Sequence, residues 1–504
     1  MDTIVLTGNT LTALEFYSIV YEHKKVSISP EAFKRLEDGR KLLYSLAESG
    51  MSIYGLNVGV GWNKDTAVPP DYYPTYNRNL ILSHCIGLPP YAAPLDVRAI
   101  LLSRLNTMLV GSAGPDPAIP QFYLEMLNRD ILPLIPQEGS VGQADIGLMS
   151  FIGLAIIGES EVYYKGEVTP SKVAFEKEGL TPVTLGPKDG LSIVSSNGVG
   201  MGQGMLVLKE IDNIIKAADL IYCCSLEALN GNISPFNERA LKLKGDTGAI
   251  ETGAFLRENL AGSFLCSPDP DGKRPLQDPL CFRNVAHIHG AAREMLYFTR
   301  ERLLRSINAG EDNPSLLVDE GTIIPTANFE SINWVLGMEG LAVAMSHLSN
   351  AAGHRIIKLA NPSFTGLPRF LTPGEGDGQV LGFATIQKAY TALNAKIRHL
   401  STPASVDTYA LAGEIEDKGT NSTYVVQRLR QIVDALRDIL ALELLHAAQG
   451  QDFRLEKGRK LGSKTAAAYA AVRKLVPFLD QDRVLTYDIV ALGKLIRSDE
   501  LTKI

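Results

Sequence analysis

Several clusters in this 504-residue chain have the composition of reactive sites, and their spacing decides among them. Asn197-Gly198-Val199-Gly200-Met201-Gly202-Gln203-Gly204 has the glycine density of a phosphate cradle. It does not give GxGxxG in register and no convincing strand precedes it, so it reads as a tight helix-packing loop. His287-Ile288-His289 sets two imidazoles two residues apart, whereas helical zinc ligands recur four apart with an acid between them. No metal site is expected there. Neither a GxSxG elbow nor a P-loop occurs, which removes the serine hydrolase and phosphoryl-transfer readings. The five cysteines, Cys85, Cys223, Cys224, Cys266 and Cys281, are odd in number and form no CxxC, as free thiols of a reducing compartment would be. The remaining places for chemistry are glycine-punctuated loops at 55–61, 111–114 and 139–142.

The elements that must position such loops are helices. Apolar residues make up 45% of the chain and charged ones 21%, enough for one large or two to three ordinary domains with sizeable cores. Lys plus Arg number 49 against 56 Asp plus Glu, a net charge of -7, so no basic surplus recommends nucleic acid or an anionic membrane as partner. No apolar run reaches the length of a membrane span, and Met1 to Val26 lacks the pattern of a secretory signal, so a cytoplasmic location is expected. Prolines are absent between Pro279 and Pro314 and over 326–361, 374–402 and 404–476, where apolar residues recur at three and four spacing. Val425, Leu429, Ile432, Val433, Leu436, Ile439 and Leu440 form one such stripe, and Met205 to Leu229 reads the same way. Strand-like alternation is sparse apart from a possible hairpin near Glu161 to Val168, turning at Tyr163-Tyr164-Lys165-Gly166. The chain is expected to be mainly α, with a loop-rich region over 1–200 and a bundle of long helices over 201–504.

Five separated segments together resemble the histidine, phenylalanine and tyrosine ammonia-lyases and the related aminomutases. Tyr54-Gly55-Leu56-Asn57-Val58-Gly59-Val60-Gly61 is similar to that family's YGxNTGFG loop, and Gly139-Ser140-Val141-Gly142 to the GSVG that opens its cofactor segment. Gln277-Asp278-Pro279 with Arg283 and His289-Gly290-Ala291 resembles QDPYSxRxxPQxHGA. Asp312-Asn313-Pro314 with Asn328-Phe329 resembles the later DNP and GGNFHG motifs, and Ala404-Ser405-Val406-Asp407 with Glu416-Asp417 resembles a stretch of the histidine enzymes. Order and separation agree over about residues 50 to 420. The resemblance implies a core of long helices, a homotetramer, and an amino acid or amino-acid-derived substrate. It makes Tyr54 the catalytic tyrosine on a loop closed by Gly61, and Arg283 the partner of the substrate carboxylate. Asn197, Asn313 and Asn328 would hold the head group. His84, after Ser83, would face the substrate ring, Glu416 would face an imidazole, and Phe329 would shield the site.

Two departures change the expected chemistry. The family builds an electrophilic methylidene-imidazolone from an internal Ala-Ser-Gly whose serine loses water, but here Gly142 is followed by Gln143-Ala144-Asp145-Ile146-Gly147, with no serine to dehydrate. Ser140 is followed by bulky Val141 in the ring-closing position, which argues against a displaced cofactor. Leu280 stands where the family carries a tyrosine that reaches the site of a neighbouring subunit, and a leucine handles no proton. Without the electrophile, the substrate must bring its own activation, as a better leaving group, an adjacent carbonyl, or an electrophile for conjugate addition or condensation, and Tyr54 would act as general acid or base in an elimination, addition or condensation at a carbon–nitrogen bond. Asp145, enclosed without a cationic partner, would have a raised pKa and could serve as an acid. Two other readings stay open: a non-catalytic ligand-binding or regulatory subunit paired with an active paralogous lyase, and a true histidine or tyrosine ammonia-lyase with an unusual cofactor.

Overall fold

The computed structural model describes residues 3–373 and 380–504; residues 374–379 of the proline-free stretch 374–402 lie outside the described residues. The chain is mainly helical, as expected. The helices used below are α1 (Tyr73–His84), α2 (Pro94–Met108), α3 (Ile146–Ile156), α4 (Gly198–Leu229), α5 (Val285–Ile307), α6 (Ile332–Leu359) and α7 (Ser422–Glu456). No helix among the described residues is long and apolar enough to cross a membrane.

Two compact units divide the chain. The first takes the residues up to 207 together with 299–336 and 403–427, and the second takes 208–298, 337–402 and 428–504. The sequence boundary at 200 thus falls close to the first crossing, but the simple division into 1–200 and 201–504 is corrected by the two later segments that return to the first unit. Proline spacing shows where a helix can run and carries no information about which core its ends join.

In the first unit, α2 is buried from Asp96 through Met108, and Pro94 opens it in the first turn, where a missing N–H costs nothing. The glycine run Gly198 to Gly204 is the opening of α4 and not a loop. Its packing role is nevertheless the expected one. A Cβ on Gly202 would lie 2.6 Å from the Ile100 amide nitrogen, so only glycine lets the α4 backbone meet that of α2. Strands are short. The expected hairpin forms from Glu161–Tyr164 and Glu167–Pro170, with Tyr164 opposite Glu167, and Lys165 and Gly166 between them both take positive φ, as a tight two-residue turn requires.

The second unit is built on long helices buried on most sides. The α7 stripe seen in the sequence is fully enclosed, and so are polar residues that follow it on the same helix, including Glu443, His446, Gln449 and Gln451. Each polar group must then find a partner inside. Glu443 accepts from Arg355 Nε at 2.6 Å and Nη2 at 2.8 Å and from Ser225 Oγ at 2.8 Å, and both ends of this ion pair are completely buried. His289, of the His-Ile-His run, is buried with Nδ1 at 2.7 Å from Asp219, which also pairs with Arg293. Among the described residues no group of three or more His, Cys, Asp or Glu is placed to hold a metal.

Removing one charge from a buried pair strands the other, at a cost of about 3–5 kcal/mol. Glu443→Gln should therefore lower the calorimetric unfolding temperature of the protein by several degrees, whereas Glu301→Gln, whose partner Arg305 is exposed, should leave it unchanged.

Candidate functional site

A cavity of about 810 Å³ lies in the first unit, and every residue lining it belongs to that unit. Three walls converge on it. The Tyr54 loop supplies Tyr54, Gly61 and Lys64; α1 supplies Tyr76, Asn79, Ser83 and His84; the cofactor-like segment supplies Gln143 and Ala144. Asn313, Phe329 and Glu416 are also among the lining residues.

The Tyr54 loop folds on itself through bridges from Val58 to Tyr54 and to Ala67. That curl brings the Gly61 amide to 2.7 Å from the Tyr54 hydroxyl, to which it donates. Burial raises the Tyr54 pKa, the Gly61 amide opposes the rise, and the nearby Glu416 carboxylate adds to it. Tyr76 is raised in the same way, first by burial and then by the proximity of Tyr54. On α1, His84 Nδ1 faces the Leu80 carbonyl at 2.7 Å. A carbonyl can only accept, so the proton sits on Nδ1 and Nε2 is left as an acceptor.

The cofactor-like segment is clamped from the other side. The amides of Thr420 and Asn421 donate to the Val141 carbonyl at 3.2 and 2.9 Å. Gly142 approaches so closely that a Cβ there would lie 2.6 Å from the Ser422 nitrogen. The clamp aligns Gln143 and Ala144 along the cavity, with Gln143 bridged to Glu330 and its stem beside Gly419. Glu416 arrives on a tight turn closed by Leu411 and Glu416, which exchange backbone hydrogen bonds of 2.9 and 3.2 Å. Ala412, Gly413 and Glu414 in this turn all have positive φ, and Gly413 lies flat on the indole of Trp62.

Beneath the cavity is a fully buried set of charges. Arg104 reaches Asp312 at 2.9 Å and Glu311 at 3.8 Å and donates to the Ser192 carbonyl. Glu311 accepts from the Ser196 hydroxyl and from the Asn197 amide at 3.1 Å, and burial pushes it up to about 7 despite Arg104. Asn313, next to Asp312, is held through its Oδ1 by the Thr326 amide at 2.9 Å.

The structure therefore gathers Tyr54, Gly61, His84, Gln143, Ala144, Asn313, Phe329 and Glu416 around one space. It treats the other expected residues differently. Asp145 is fully buried and outside the lining; it accepts from Ser140 Oγ at 2.7 Å and from the Gly200 amide at 2.9 Å. The catalytic reading of Asp145 is corrected to a structural one, because both its oxygens are spent on joining the segment to the start of α4. Asn197 is likewise engaged, donating to the Phe329 carbonyl. Asn328 is exposed, outside the lining, and reaches Ser315 at 3.4 Å. Arg283 and Leu280 belong to the second unit; Arg283 is bound to Gln277 and Leu280 is 57% exposed. Sequence reasoning passed over Tyr76 and Lys64. For Tyr76 the signal was helical spacing, since it precedes Ser83 and His84 by seven and eight residues on α1.

The sequence from 11 to 474 matches the family described as aromatic amino acid lyase. This chain belongs to that family. A histidine ammonia-lyase of Treponema denticola is 34% identical over 500 residues, spanning 99% of this chain and 97% of the relative. Among solved structures, the ergothioneine-degrading enzyme ergothionase of Treponema denticola, in complex with desmethyl-ergothioneine sulfonic acid, is 44% identical with a TM-score of 0.97, each chain covered in full. A tyrosine aminomutase of Streptomyces globisporus is 28% identical with a TM-score of 0.93, covering 100% of this chain and 98% of its own. The aromatic amino acid lyase identified here is thus an enzyme that acts on carbon–nitrogen bonds.

The enclosed Asp145 gives a stability test. Burial, the largest influence, raises it to about 6 against the lowering effect of the Gly200, Ser140 and Val199 hydrogen bonds. An aspartate in the unfolded chain ionises at about pH 4. Its folded pKa being the higher, the stabilisation is complete below that pH and is lost as pH rises through about 6. The stability of Asp145→Asn relative to the unsubstituted protein should increase from pH 4 to pH 7 in paired denaturant titrations, and a pH-independent difference would refute the raised pKa.

Proposed function

We propose that this lyase eliminates a tertiary amine from the quaternary ammonium betaine of a histidine derivative, with ergothioneine as substrate, and does so without an internal methylidene-imidazolone. The observation that carries this reading is the likeness, over the whole of both chains, to the ergothioneine-degrading enzyme of Treponema denticola. The cofactor-like segment supports it independently. Between Gly142 and Ile146 the residues are Gln143, Ala144 and Asp145, and the nearby Ser140 has its hydroxyl bound to Asp145, so the residues present do not fit the group.

The leaving group explains why the electrophile is dispensable. An α-amino group is expelled poorly and needs activation, whereas a trimethylammonium group already carries its positive charge and departs as a neutral amine. The remaining task is removal of a weakly acidic β-proton. Tyr54, in its ionised fraction, which grows with pH, takes that proton; the C–H electrons form the Cα–Cβ double bond; the Cα–N bond breaks and its electron pair leaves with trimethylamine. The Tyr54 phenol then returns the proton to water. The Gly61 amide stabilises the phenolate, in the manner of an oxyanion donor. His84 Nε2 and Glu416 accept from the ring end of the substrate, and Asn313 and Arg283 serve its carboxylate, Arg283 from a neighbouring subunit of a homotetramer. The absence of disulfides at all five cysteines suits a cytoplasmic setting.

A histidine ammonia-lyase is the second reading, favoured by the name of the relative at 34% identity. Incubation of the purified protein with ergothioneine should release trimethylamine, with no ammonia from histidine, and the intact mass should equal that of the unmodified chain. A mass lower by two waters in the 139–150 peptide, together with ammonia release, would replace this reading by the second. No turnover without an added paralogous lyase would favour a regulatory subunit. Tyr54→Phe should reduce kcat by about a hundredfold to ten-thousandfold while the protein still folds.

Glu416 offers a separate pH test. Its negative charge opposes phenolate formation at Tyr54. Glu416→Gln should therefore move the rising limb of the pH profile to lower pH while raising KM, and an unshifted limb would remove the electrostatic link between the two residues.

A further inference from the structure

We propose that Tyr76, together with Tyr54 and Phe329, forms an aromatic wall that receives the quaternary ammonium group, and that Tyr76 makes the site selective for a fully methylated nitrogen. This rests on the amine-elimination reading above and specifies how that substrate would be held. A trimethylammonium group has no N–H to donate, so the hydrogen-bonding groups of the cavity, such as Asn79, Ser83 and Asn313, cannot recognise it. What can recognise it is the negative face of aromatic rings. Three aromatic side chains, Tyr54, Tyr76 and Phe329, line this cavity, and the Tyr54 hydroxyl is already engaged by the Gly61 amide, which leaves its ring face for contact.

Placement on α1 favours Tyr76 for this task. Tyr76 lies one turn before Asn79 and Leu80 and two turns before Ser83 and His84, and all of these residues line the cavity. The helix therefore separates the charged end from the ring-recognising end by about 10 Å along its axis. The titratable groups facing Tyr76 across the cavity are Tyr54, Lys64, His84 and Glu416. Lys64 is the one that would repel a cation, and it is paired with Asp65. Burial and the neighbouring Tyr54 raise the Tyr76 pKa, so its ring stays a neutral phenol.

The test uses choline, which carries the trimethylammonium group, against its uncharged isostere 3,3-dimethylbutan-1-ol. Both are measured by calorimetry on the full-length protein and on the Tyr76→Phe and Tyr76→Leu variants, with circular dichroism confirming that each variant folds. The unsubstituted protein and Tyr76→Phe should bind choline more tightly than the isostere, because both keep an aromatic face. Tyr76→Leu should lose this preference by about threefold to thirtyfold, the range expected of a cation held against a ring. Equal binding of the two probes by the unsubstituted protein overturns the proposal, and so does an unchanged preference in Tyr76→Leu. A loss in Tyr76→Phe as large as in Tyr76→Leu overturns it too, since the hydroxyl and not the ring would then be responsible. Trimethylamine release without choline preference refutes the aromatic wall alone, and choline preference without release refutes the reaction alone.

Discussion

The Arg104 guanidinium, completely enclosed, is the constraint on which the site depends. A buried cation must have its compensating charges at fixed positions, because no water can substitute for them. Asp312 at 2.9 Å and Glu311 at 3.8 Å meet that demand, and each is adjacent to, or bonded with, a segment that faces the cavity. Asp312 precedes Asn313, and Glu311 holds the Ser196-Asn197 corner from which α4 starts. Asn197 in turn holds the Phe329 carbonyl. One charge network thus sets the positions of several parts of the wall that are distant in sequence. A second network close by, in which Asp189 joins Arg40 at 3.2 Å and the Asp116 amide at 2.9 Å, fixes the short helix Asp189–Val194. That helix bonds to α1 through Asn77, whose Oδ1 accepts from Gly190 at 2.9 Å.

The same division of labour separates the residues that support the site from those that face it. Asp145 and Asn197 match family positions of functional interest, yet Asp145 accepts from the Ser140 hydroxyl and the Gly200 amide, and the Asn197 amide nitrogen donates to the Phe329 carbonyl. Tyr54, His84 and Glu416 line the open space. The cofactor-like segment contributes the uncharged Gln143 and Ala144 to the wall, while Lys64 and Glu416 bring charged side chains to the lining.

Sequence patterns conveyed the helical class, the α7 stripe and the hairpin at Lys165-Gly166 because each depends on local rules of spacing and turn chemistry. The motif residues Tyr54, His84, Asn313 and Glu416 were legible for a different reason: they sit in short segments that resemble the family's motifs in residue type and order. Asp145 was misread since exposure and direction are tertiary properties, and a carboxylate in a motif looks the same whether it faces a cavity or caps a helix. Gly198 to Gly204 looked like a loop because glycine disfavours helix, and only the contact with α2 explains why a helix accepts so many. Tyr76 was overlooked because it lies outside the motif segments, although its helical spacing from Ser83 and His84 sets it on their side of α1.

The contact between Trp62 and Gly413 has an optical consequence. The chain contains two tryptophans; Trp334 is 1% exposed, whereas Trp62 is 77% exposed and sits beneath the turn that brings Glu416 to the cavity. Their emission should therefore separate by wavelength, blue for the sealed indole and red for the one at the rim. The red component belongs to a single side chain touching the Glu416 turn, so the protein carries an intrinsic fluorescent gauge of that turn's position, with no label attached.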